Sequence, residues 1–292
     1  MKKLNLFKTT LILFILFISS GAEAASSVWS ASSSSATVYL AGSFHMLRES
    51  DYPLPAEFFT AYRNSAKLVF EVPPGEAETT AYLTKFISET IYNDGTTLKD
   101  HVTPAAYAKA ERFCKEHDYP MEQYKIFKPT FFMMSVTVSE MNKIGVDPKN
   151  GVDYFFKNKA AEDGKAVGSL ETLDQQIDML ASIDASIGSD QIMQGIDELG
   201  QMDTMLSRYL SAWRRGDEAK MEDMYIKGLK EYPKLYRTLI VERNNKWLSD
   251  IEGYLKGSRN IMVIVGAAHL VGDDGLVNLL RKRGYKVTQL QK

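Results

Sequence analysis

Four histidines serve the whole 292-residue chain: His45, His101, His117 and His269. Two stand in the same frame, Gly42-Ser43-Phe44-His45 and Gly266-Ala267-Ala268-His269, each after an apolar run that reads as a strand. Glycine permits a tight turn, so an imidazole can point back over the C-terminal edge of a sheet, where open α/β folds bind ligands. Glu71 lies in Leu68-Val69-Phe70-Glu71-Val72, where an ionised carboxylate is costly unless it is paired or bound to a metal. Glu171 closes a similar run, Gly168-Ser169-Leu170; it also suits the first turn of a following helix, where negative charge meets the helix dipole. Histidines and carboxylates of this kind point to acid–base or metal-assisted chemistry. Arg243 sits in a helical pattern with Trp247 and, taken alone, reads as a surface arginine or one with its stem on an aromatic ring. His101 and His117 have polar surroundings and read as surface residues. Cys114 reads as a small buried filler, and Met133, Met134, Met193 and Met202 as helical core residues.

These groups need elements to hold them. Ala36–Ala41, Lys67–Val72, Lys165–Leu170, Asn260–Val265 and Tyr285–Leu290 have the β-branched and aromatic content of strands. Helical spacing covers Ala56–Ser65, Ala77–Ile91, Pro104–His117, Thr130–Asn142, Val152–Asp163, a stretch from Leu173, Ser189–Leu229 and Leu235–Lys256. Near the end, Asp273 or Asp274 can cap a helix over Gly275–Arg283 that Gly284 stops. The pattern predicts an α/β (α+β) fold: one central sheet built from strands of both chain ends, with a helix-rich middle section covering the site.

Composition removes several classes. Charged residues make up 25% and hydrophobic residues 45%, with a formal charge of −2. That is the profile of a soluble globular chain with no basic footprint for nucleic acid. A lone cysteine excludes an internal disulfide and a cysteine-built zinc site. The first 24 residues have the layout of a secretory signal peptide: Lys2, Lys3 and Lys8, an apolar run Leu11–Ile18, then Ala22-Glu23-Ala24. The expected product is exported to the periplasm or beyond, with no transmembrane segment after cleavage. It begins with a flexible, serine-rich stretch over 25–35 and continues as one domain over 36–292, with a helical insertion at about 76–163.

Leu40–His45, Leu68–Val72 and Val265–Leu270, with Gly168–Thr172 and Glu242-Arg243-Asn244 between them, resemble the signature blocks of the TraB/GumN family, which also contains PrgY and the Tiki proteins. The resemblance spans about Val38 to Val287. It implies paired histidines at His45 and His269, acidic positions at Glu71 and Glu171, and a helix-borne arginine at Arg243. Since Tiki members are regarded as metal-dependent proteases, it also implies a metal-dependent, protease- or peptidase-like hydrolase. In that reading His45, His269 and one or both of Glu71 and Glu171 hold a divalent ion (zinc, manganese, iron or cobalt), and Arg243 steadies an oxyanion. A metal-free version makes His45 or His269 a general base oriented by Glu71. Either version takes a peptide or small-molecule substrate. The alternative is a non-catalytic periplasmic binding protein that sequesters a metal, haem or a secreted peptide.

Overall fold

The computed structural model describes residues 25–73, 79–183 and 188–291. The leader therefore lies outside the described residues, as does the expected start of the helix at Ala77. Six strands form one sheet: β1 (Ala25–Ser32), β2 (Thr37–Ser43), β3 (Lys67–Phe70), β4 (Ala166–Ser169), β5 (Ile261–Gly266) and β6 (Lys286–Gln291), in the order β4-β3-β5-β2-β1-β6. β5 is buried at every residue, as expected of a parallel strand covered on both faces. It pairs in parallel with β2 on one side and β3 on the other. Strands from the two chain ends thus lie side by side, with Ser43 opposite Gly266, and both Gly-x-x-His turns leave the same edge.

The expectation of a flexible 25–35 stretch is corrected. Ala25–Ser32 is β1, antiparallel to both β2 and β6. Val28, Trp29 and Ala31 are fully buried, and the Ser27 hydroxyl donates to the Trp213 carbonyl at 2.6 Å. Serine hides the strand pattern because a short hydroxyl can be buried once it has a partner. β3 ends at Phe70, so Glu71 lies just past the strand instead of inside it. The last helix, Leu276–Lys282, is preceded by Gly275 with no side-chain cap, so neither Asp273 nor Asp274 plays that part.

The helical section divides between two cores. Val152–Glu162 packs on the sheet, contributing Val152, Phe156 and Ala160 to the main core. Pro104–Glu116, Pro129–Lys143 and Gly188–Leu199 instead build a satellite core around Phe113, Cys114, Phe132, Val136 and Ile192. Cys114 is fully buried, as expected, and burial pushes its thiol up to about 11. Met134 and Met193 depart from the core reading, being 41% and 37% exposed. Among the described residues no helix is long and apolar enough to cross a membrane.

Candidate active site

At the C-terminal edge of β3, β5 and β2 the backbone narrows to Gly266. A Cβ placed there would lie 3.2 Å from Glu71 Oε1, 3.3 Å from His45 Nε2 and 3.7 Å from His269 Cδ2. Glycine leaves that small space open, and three of the five sequence-predicted residues line it. The other two, Arg243 and Glu171, join through hydrogen bonds. Arg243 Nη2 donates to Glu71 Oε2 at 2.5 Å and to Glu171 Oε1 at 2.6 Å, and its Nε donates to Glu171 Oε2 at 3.2 Å. Glu171 therefore meets Arg243 as a two-pronged pair and is 7% exposed, which decides against a simple helix-dipole role. The guanidinium also stacks 4.4 Å above the Trp247 ring, the aromatic contact that the sequence pattern offered for this arginine.

Local structure explains the positions. The Gly266 amide donates to Glu71 Oε1 at 2.6 Å, curling the residue after β3 across to β5. A π-helical turn, Arg237–Val241, leads directly into the helix Glu242–Leu255 that carries Arg243; π turns of this kind recur at functional sites.

The state of His269 follows from its neighbours. Asn244 uses its side-chain amide to donate to the carbonyls of His269 and Asp274, at 3.1 and 2.7 Å. Its Oδ1 is therefore the acceptor facing His269 Nδ1, 2.7 Å away. That fixes the proton on Nδ1 and leaves Nε2 to accept from Arg243 Nη1 at 2.9 Å. Burial holds this imidazole neutral, down to about 3, against the opposing charge of Glu71. Burial pushes Glu71 the other way, but His269 once it takes a proton, the fixed charge of Arg243, His45 and the Gly266 amide bring its carboxyl down to about 2. Arg243 spends four of its five N–H bonds on these partners, and one on Nη1 remains.

His45 is organised by a residue that the sequence did not single out. Asp153 Oδ2 lies 2.8 Å from His45 Nδ1 and also accepts from the Ser43 hydroxyl. The Asp153 carboxylate raises the imidazole above its ordinary value, although solvent reaches the ring, which is 61% exposed. Asp153 stands in the first turn of Val152–Glu162, where the helix dipole favours an acid. That turn is strapped to the histidine loop: the Val152 amide donates to the Phe44 carbonyl at 2.9 Å. A Cβ on Gly151 would come within 2.1 Å of the His45 carbonyl oxygen, so only glycine fits there. An acid in the first turn of a helix is too common a pattern to reveal this partner, and Asn244 likewise carried no signal beyond its place next to Arg243.

His101 is exposed, as expected, and stacks on Tyr92 with ring centroids 4.0 Å apart. His117 is half-buried, not fully at the surface, because its Nδ1 lies 2.8 Å from Glu140 and its ring stacks on Phe113.

A shared divalent ion meets an obstacle in this arrangement. Both His269 nitrogens and both Glu71 oxygens already have partners, and a fixed cation, Arg243, sits among them. Among the described residues no group of three or more His, Cys, Asp or Glu side chains is disposed to hold a metal. The donor set as folded does not fit a divalent cation.

The profile of the TraB/PrgY/gumN family matches residues 27–289, and the chain belongs to that family. It is similar to the uncharacterized protein YbaP of Escherichia coli K12, at 23% identity over 257 residues, covering 83% of this chain and 87% of that protein. The YbaP protein of Shigella flexneri matches to the same extent. No solved structure gives a significant match.

Proposed function

We propose that the chain is an exported, peptidase-like hydrolase in which His45 acts as general base. One observation carries the reading: an Asp–His pair aims its free nitrogen, His45 Nε2, at the same small space that Gly266 leaves open beside Glu71. With Nδ1–H held by Asp153, Nε2 keeps its lone pair for a water molecule. The water oxygen adds to the carbonyl carbon as its proton passes to Nε2. The C–N bond then breaks, and the proton is handed from His45 to the departing amine. Ionised Glu71 stabilises the imidazolium formed in between, and in this reading the remaining Nη1 proton of Arg243 meets the oxyanion. His269 touches neither the water nor the leaving group; it fixes Arg243.

The test is incubation of the purified mature chain with a mixed peptide library, with products read by mass spectrometry. Cuts at defined bonds are expected, together with a loss of roughly 100-fold or more in His45→Ala and an unchanged melting temperature. The cuts should survive a chelator; loss restored by zinc, manganese, iron or cobalt would reinstate the divalent ion. No cleavage by the wild-type chain, or full cleavage by His45→Ala, would overturn the proposal.

A further inference from the structure

Between the satellite core and the sheet core runs a groove of about 670 Å3, within the usual range for a ligand site. Five methionines line it: Met46 from the loop after β2, Met133, Met134 and Met141 from the helix Pro129–Lys143, and Met224 opposite. Met46 directly follows His45, and Leu235, on the opposite wall, lies two helical turns before Arg243. The lining thus includes the residue next to His45 in the chain. Its apolar lining is left in contact with solvent, Met134 at 41% and Val138 at 38% exposure; such patches on a folded chain mark surfaces built to be covered. Unbranched thioether side chains adapt to apolar groups of varied shape.

Charge selects among occupants. Glu198 and Glu231 line the groove, and among the described residues no lysine, arginine or histidine does. Neither carboxylate has an ion-pair partner among the described residues. Tyr232 donates to Gln194 Oε1 at 2.7 Å, linking the two walls near Glu198 and Glu231. An anionic or acidic ligand would be repelled there, and a purely apolar one would leave the carboxylates unused.

The geometry points to a substrate-side groove that takes a peptide segment with bulky apolar side chains next to a basic residue, the apolar part on the methionines and the cation on Glu198 and Glu231. This rests on the hydrolase reading for turnover but not for binding. Two dye-labelled pentapeptides of alanine and leucine, one with a central lysine and one with a central glutamate, are titrated against the full chain carrying His45→Ala. Fluorescence anisotropy should show one-to-one binding, tighter for the lysine peptide by about tenfold or more. The charge-swapped double variant, Glu198→Lys with Glu231→Lys, should reverse that preference, and Val138→Gln should weaken the leucine-rich peptides while leaving an all-alanine lysine peptide little changed. In the catalytically intact chain the same reversal should appear in KM. Equal binding of both peptides, or a preference untouched by the charge swap, overturns the inference. Binding that follows the pattern without any cleavage keeps the groove and discards the hydrolase. Cleavage without the charge preference does the opposite.

Discussion

Asp153 and Asn244 do for the two histidines what the histidines cannot do alone. Each fixes one ring nitrogen, and they leave opposite results: His45 with an outward lone pair, His269 with its lone pair given to Arg243. A base must be neutral to accept a proton. Since Asp153 raises the His45 pKa, the rate should climb as pH passes from 6.5 towards about 9. Asp153→Asn removes the raising charge, so the rising limb of kcat/KM should move down in pH, while the plateau falls by roughly 10-fold or more because the ring loses its orientation. A lower plateau with an unmoved limb would mean that Asp153 only shapes the loop. His45, His269 and Glu71 were legible because their types are rare or costly where they stand, whereas Glu171 and Arg243 stood out only through the resemblance to the family's blocks. Asp153 was not, because its partner, His45, lies 108 positions away in the chain and meets it only once the fold straps the two segments together.

At the scale of elements, the edge where β2 and β5 end side by side is held by packing as much as by its own turns. Trp213, from the helix Met202–Arg215, is fully buried and donates from Nε1 to the Gly42 carbonyl at 2.7 Å. Phe44 lies against the same ring, 5.6 Å between centroids. Trp213→Ala should cost about 3–5 kcal/mol in chemical denaturation. Trp213→Phe keeps much of the contact but strands a buried acceptor, for a loss of about 1–3 kcal/mol. Gly266→Ala tests the edge differently. Its φ of −49° accepts a side chain, but the added methyl would occupy the space facing His45 and Glu71. Turnover should fall about 100-fold while circular dichroism stays native, since misplacing reacting groups by an ångström costs that much. Wild-type turnover in Gly266→Ala would show that the space is not used. β5 was legible as an unbroken apolar run, whereas β1 was not, because its serines satisfy their hydroxyls only after the strand is in place.

Across the whole molecule, the buried charges tie stability to pH. Glu71 is ionised in the fold down to about 2 against 4.5 in an open chain, so its contribution is present above pH 4.5 and fades as pH falls towards 2. His269 stays neutral down to about 3 against 6.5, so unfolding, which frees it to bind a proton, is favoured increasingly from pH 6.5 downward. Melting temperature should therefore decline from pH 6.5 to pH 4, and His269→Gln should flatten that decline even if it lowers stability at neutral pH. A wild-type melting temperature constant over that interval would contradict the buried network. The overall plan, with strands at both ends and helices between, could be read from periodicity. The split of those helices between two cores could not, because amphipathic patterns state which face is buried and not against what.

The pairing of β2 with β5, and of β1 with β6, also sets an order in time. β2 lies near one terminus, but its parallel neighbour is made more than 200 residues later, and β1 waits for residues 286–291 to cover its other edge. Contacts of such long sequence separation are slow to form. Until β5 and β6 leave the ribosome, an N-terminal fragment can close neither the sheet nor the space around Gly266. A chain stopped at residue 260 would keep His45, Glu71, Glu171 and Arg243 yet lack β5, on whose edge they meet, so the arrangement around Gly266 cannot form before that strand is made.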